Sequence, residues 1–151
     1  MSASGNLPLV LACVAVGCTL ASGFIAALAV RRYPNFLQIG SFALLGVSGA
    51  LTVAAGGWVI AASGVFTATL EQFGLPWLKW HLRLDPLSGF FLVLLGTLVF
   101  AASLYGPRYT AEFKRGPQPL PPLGIFTAVF VLGMQMLLLA DDAFTFMVFW
   151  E

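Results

Sequence analysis

The chain has 151 residues, of which 60% are apolar and only 9% are charged, whereas soluble domains carry about a quarter charged residues. Its formal net charge is +1 and no run of basic residues is longer than two, so neither nucleic acid nor an anionic surface is an implied partner. The composition places the chain in a lipid bilayer and excludes an ordinary soluble enzyme.

Crossing the hydrocarbon requires about 20 apolar residues at 1.5 Å rise each. Four runs meet that length, at 7–30, 38–66, 87–105 and 123–140, and a fifth opens at 143–151. The expected fold is an all-α, polytopic transmembrane bundle forming one membrane domain, since no gap between the runs could hold a soluble domain. The first run could be read as a signal peptide. Its flanks argue for a retained helix, because Met1-Ser-Ala-Ser-Gly-Asn carries no basic side chain while Arg31-Arg32 follows the run, the reverse of a secretory leader. Cys13 and Cys18 both lie within this run. Five residues apart on a helix they project from different faces, which excludes a bridge between them and leaves them as small packing residues.

Basic residues set the expected orientation. Arg31 and Arg32 follow the first run, and Arg108, Lys114 and Arg115 follow the third, against only Lys79 and Arg83 after the second. Cytoplasmic loops are the basic ones, so the N-terminus is expected outside, with the 67–86 and 141–142 connections on that same side. The second run is rich in Gly, Ala, Ser and Thr, which lets helix backbones approach closely. It has no phosphate-cradling arrangement of glycines before a lysine.

From Trp77 to Asp85 polar and apolar residues alternate, the period of a strand, so a short strand or hairpin at the membrane interface is expected. Trp77 and Trp80 would anchor it in the interfacial belt. His81 is the single histidine and reads as a structural or solvated residue rather than a titrating switch. Asp85 before Pro86-Leu87-Ser88 marks the start of the third helix, with a short polar side chain as its cap.

No CxxC, no His/Cys/carboxylate cluster and no Ser/His/Asp set occurs, so no catalytic residue, cofactor or metal ligand is assigned within this segment. Two polar side chains fall well inside the expected spans, Gln135 and Glu151. Gln135 is expected to bridge helices through its amide. Glu151 would lie about 13 Å along its helix, where a lone carboxylate costs roughly 2.5–3.5 kcal/mol, and it is the candidate proton-pathway residue. Because it falls part-way along a starting helix, the chain is expected to be the front part of a longer membrane protein.

Leu84-Asp85-Pro86-Leu87-Ser88-Gly89-Phe90-Phe91, then Ala102-Ser103-Leu104-Tyr105, then Asp141-Asp142-Ala-Phe-Thr-Phe-Met-Val-Phe-Trp-Glu151 resemble a known series. It is the N-terminal portion of the proton-conducting membrane subunits shared by respiratory complex I, membrane-bound hydrogenases and multisubunit cation/proton antiporters. The Leu-Ser-Gly-Phe-Phe and Ser-Leu-Tyr wording is most similar to the membrane subunits of hydrogenase-4 (component B) and formate hydrogenlyase. The resemblance implies an N-terminal scaffold of three helices followed by inverted repeats. It also implies a glutamate at position 151 that pairs with a lysine on a later helix and modulates its proton affinity. The implied partners are other membrane-arm subunits and a peripheral redox module, in a bacterial or archaeal inner membrane. Two other classes share the composition, a cation/proton antiporter subunit and a small self-contained structural membrane protein.

Overall fold

The computed structural model describes residues 6–29, 34–75, 78–113 and 121–151. In chain order it comprises α1 (Leu7–Ala29), α2 (Pro34–Ala62), β1 (Phe66–Leu75), β2 (Leu78–Leu84), α3 (Pro86–Phe113), α4 (Pro121–Leu139) and α5 (Ala143–Trp150). The fold is predominantly helical, with one antiparallel hairpin made by β1 and β2. Three segments, Leu7–Leu28, Leu37–Ala62 and Pro86–Tyr109, are long and apolar enough to cross a membrane, and Leu123–Leu139 is a shorter apolar helix. Large apolar side chains also point away from the bundle: Phe24, Leu98 and Phe126 are 71%, 70% and 70% exposed. A helix that is apolar on all sides is at home in hydrocarbon, not in water.

Helix ends follow from local chemistry, not from hydropathy. α2 stops at Ala62, four residues before its apolar run does, because Ser63 turns left-handed at φ 51°. Its N–H is then donated to the carbonyls of Val59 and Ile60 at 2.9 and 3.2 Å, closing the last turn. Phe66, the end of that apolar run, begins β1 instead. α3 starts on Asp85, whose carboxylate accepts the Ser88 N–H at 2.8 Å, with Pro86 at the first helical position, where no N–H is needed. It continues to Phe113 through Pro107, well beyond the apolar run that ends at 105. Arg31, Arg32, Lys114, Arg115 and Trp77, which carry the orientation and belt arguments, lie outside the described residues.

Small residues decide the packing of α2 on α3. Glycines 49 and 56 on α2 meet glycines 96 and 89 on α3: a methyl at Gly49 would sit 2.9 Å from the Gly96 carbonyl, and one at Gly56 would strike the Gly89 carbonyl. α1 is joined to α2 by Ser22 and Ser41, whose hydroxyls each donate to the other's backbone carbonyl, at 2.9 and 3.1 Å. α4 rests mainly on α1, where a methyl at Gly23 would lie 3.1 Å from the Ala128 Cβ and one at Gly124 3.0 Å from the Ala26 Cβ.

The hairpin closes one end of this bundle. Its register pairs Thr67 with Arg83, Ala68 with Leu82 and Thr69 with His81, so the two-residue period sends one set of side chains to each face. Leu82 and Leu84 are buried, and Phe66, Ala68 and Trp80 pack on the same core as Leu9, Ala55, Val59, Leu92 and Leu139. Thr67, Thr69, His81 and Arg83 face outward.

Candidate functional site

Two polar assemblies stand out against the apolar bundle. The first is buried where α1, α2 and α4 meet. Gln135, 1% exposed, donates from Nε2 to the hydroxyls of Ser48 at 3.1 Å and Thr52 at 2.9 Å. Its Oε1 accepts from the Thr19 hydroxyl at 2.9 Å. Thr19 and Ser48 close the figure, with hydroxyl oxygens 2.6 Å apart. Gln135, Ser48 and Thr19 thus form a three-membered ring of hydrogen bonds.

The ring has outlets to the backbone. Thr52 donates to the Ser48 carbonyl at 2.8 Å, and the Ala15 carbonyl lies 2.8 Å from the Ser48 hydroxyl and 3.1 Å from that of Thr19. Both N–H groups of the amide and all three hydroxyl protons therefore have acceptors. Among the described residues no buried side-chain nitrogen or oxygen lacks a partner. In hydrocarbon an unsatisfied polar group costs several kcal/mol, so completeness is what lets these residues occupy the interior. The layer contains no group that titrates; its chemistry is to hold three helices at one depth. Beside it, between α1 and α4, runs an apolar groove of about 220 Å³ that includes Thr19, Leu20, Phe24, Ile125, Val129 and Leu132.

The second assembly lies on the outer side of the hairpin end. Arg83 stands between two carboxylates, 3.6 Å from Asp85 and 3.7 Å from Asp141. Thr69 Oγ1 and His81 Nδ1 are 3.2 Å apart, and the Asp141 N–H donates to the His81 carbonyl at 3.2 Å. Asp142 caps α5, accepting the Thr145 N–H at 2.8 Å and the Thr145 hydroxyl at 2.7 Å. Partial desolvation pushes its carboxyl upward, but the Thr145 and Phe144 N–H groups, the Thr145 hydroxyl and the charge of nearby His81 outweigh that and hold it below its ordinary value. Trp80 meets the Phe149 ring edge-on at 5.7 Å, joining β2 to α5.

The two residues singled out from sequence occupy different environments. Gln135 is enclosed by helices, while Glu151 is exposed at the end of α5, its N–H donated to the Met147 carbonyl at 3.2 Å. Thr19, Ser48 and Thr52 were not picked out as partners of Gln135. The available signal was the spacing of Ser48 and Thr52, one turn apart on an apolar helix rich in small residues. Cys13 and Cys18 are both free thiols.

The chain matches no family model. Over 70 residues, 46% of its length, it is 36% identical to hydrogenase-4 component B of Escherichia coli strain K12, and that match covers 10% of the relative. The chain therefore spans only a small part of the length of the relative it matches. The three apolar helices describe a multi-pass membrane protein, similar over that stretch to hydrogenase-4 component B.

Proposed function

We propose that this chain supplies the N-terminal helices of a membrane-arm subunit in a redox-driven, proton-translocating complex of the hydrogenase-4, formate hydrogenlyase or NADH-quinone oxidoreductase type. The observation that carries the reading is the 70-residue similarity to hydrogenase-4 component B. The sequence motifs around Asp85–Phe91 and Asp141–Glu151 support it independently of overall composition. In this reading α1 to α4 are four spans, α5 begins a fifth, and the N-terminus faces outward, as the placement of basic residues favours.

The role assigned to this segment is scaffold plus one ionisable group. The Gly49–Gly96 seam and the Gln135 layer fix α1 to α4 against one another, and α5 carries Glu151 at its end. Glu151 is the proton-pathway residue, its carboxylate paired with a lysine contributed by another helix of the subunit. Redox energy from a peripheral module shifts that pair between joined and separated states. No redox centre is assigned to these residues; electron transfer belongs to the partner module.

The test is Glu151→Gln in the intact subunit within its complex. Proton translocation measured in sealed vesicles should fall while electron transfer at the partner module continues. Unchanged translocation overturns the role of Glu151. Purification of the native complex tests the wider assignment: hydrogenase or NADH-dehydrogenase subunits should accompany the chain, whereas a complex devoid of any redox module points to the antiporter class.

A further inference from the structure

The polar layer and the hairpin end are separated by a single apolar layer, and the hairpin provides its outer wall. Going from Thr52 toward the hairpin, α2 buries Ala55 and then Val59; from Gln135, α4 buries Met136 and Leu139; from Ala15, α1 buries Ala12 and Leu9. Leu92 of α3 joins them, and Leu82 and Leu84 of β2, 2% and 0% exposed, belong to the same cluster. Seven residues from Thr52 to Val59 span about 10 Å at helical rise. Three further residues bring α2 to its end at Ala62, so the hydroxyl–amide ring lies about 15 Å from the end of that helix.

The hairpin is shaped and fastened for this position. Its inner face is apolar and its outer face carries Thr67, Thr69, His81 and Arg83. At the rim it is tied to the α4–α5 turn by a backbone bridge between Leu82 and Ala140, by the Asp141 N–H on the His81 carbonyl and by Arg83 on Asp141. The ring beneath has reason to need a wall. Water competes for every donor in it, and a hydrogen bond is worth more in a dry, low-dielectric site than in a wet one.

We propose that the β1–β2 hairpin is a hydrophobic plug that keeps water from reaching the Thr19–Ser48–Thr52–Gln135 layer at that end of the bundle, with Leu82 and Leu84 forming the seal. The plug is a property of the membrane-embedded fold and does not depend on the redox-complex assignment. Its loss would admit water to a layer that binds three helices together.

The test uses the full chain in membrane vesicles, with Cys13→Ala and Cys18→Ala removing the native thiols and Ser48→Cys placing a near-isosteric thiol in the ring. A charged, membrane-impermeant methanethiosulfonate is applied to either side. Ser48→Cys should react slowly while Thr69→Cys, on the outer face of the hairpin, reacts quickly. Adding Leu82→Ala and Leu84→Ala should raise the rate at Ser48→Cys by an order of magnitude or more, from the hairpin side only. Rapid labelling with the hairpin intact, or slow labelling with both leucines truncated, overturns the proposal. If the doubly truncated protein fails to fold, deuterium exchange of the Gln135 side-chain amide in the unsubstituted chain decides: protection supports the plug and free exchange overturns it.

Discussion

Gly49 and Gly96 bring the backbones of α2 and α3 into direct contact. A methyl at Gly49 would lie 2.8 Å from the Phe100 nitrogen, and one at Gly96 would lie 2.7 Å from the Gly49 carbonyl oxygen. Gly56 and Gly89 repeat the relationship seven residues away on each helix, so both faces keep the interval that holds a seam between supercoiled helices. Since lipid tails are as apolar as leucine, association here is driven by close packing, and small side chains permit it.

Gly49→Ala or Gly96→Ala should therefore destabilise the bundle by about 1–3 kcal/mol, the usual cost of overpacking, because the nearest obstructing atom at each is backbone and cannot rotate away. Gly57→Ala is the control. A methyl there meets nothing within 4 Å and should change stability by no more than about 0.5 kcal/mol. Reversible unfolding in mixed micelles with increasing SDS, followed by circular dichroism, measures both; equal effects at Gly49 and Gly57 would refute the seam.

Much of this architecture was legible in the sequence, and the omissions share a cause. Run length locates the apolar helices, because hydrocarbon thickness imposes it. The alternation from Trp77 to Asp85 announces a strand, and β2 occupies Leu78–Leu84. Its partner β1 was hidden: Phe66 closes an apolar run, and the left-handed Ser63 that separates helix from strand leaves no trace in hydropathy. α3 outruns its apolar segment because Pro107, Arg108 and their neighbours continue the helix after hydrophobicity has stopped. Gln135 was visible as a polar residue in an apolar run, but Thr19 and Ser48 are 116 and 87 residues from it. Only the register between helices makes them neighbours.

The ring supplies a second prediction. Gln135→Leu should lower stability, and the double-mutant cycle with Thr52→Val should return a coupling of about 0.6 kcal/mol, with roughly 1.7 as a ceiling for interhelical hydrogen bonds. The loss is limited because each hydroxyl retains a backbone acceptor: Thr19 and Ser48 reach the Ala15 carbonyl and Thr52 reaches that of Ser48. A coupling of zero in the same SDS titration would mean that the bond from Gln135 to Thr52 contributes nothing.

Ser63→Gly should stabilise the end of α2. Serine holds φ 51°, a conformation that costs an L-residue roughly 1–2 kcal/mol and glycine very little. The loss it incurs is small, since the Ser63 hydroxyl bond to the Ile60 carbonyl is exposed and 3.3 Å long. A gain of about 1 kcal/mol in unfolding free energy is expected; Ser63→Val should move the other way, as a β-branched side chain is poorly accommodated at positive φ. Equal stability of the Gly and Val variants would contradict the left-handed assignment.

Asp142 gives the pH dependence of the hairpin end. Its carboxyl is held below the ordinary value of 3.8 because its bonds from Thr145 and Phe144 and the nearby His81 outweigh desolvation. A carboxyl whose folded value is depressed contributes stability that is complete above its unfolded value and is lost as pH falls through the folded one. The cap on α5 is thus intact at neutral pH and loosens only in acid. The Thr145 N–H, which donates to this carboxylate, reports the titration directly by NMR and should show a midpoint below 3.8. His81→Ala removes one of the lowering influences and should move that midpoint upward. Asp142→Asn keeps an acceptor for the cap but should abolish the titration, and Asp142→Ala should cost about 1 kcal/mol at neutral pH. A Thr145 midpoint at or above 3.8 in the unsubstituted protein would show that desolvation wins at this turn, and that the cap bonds are weaker than their lengths imply.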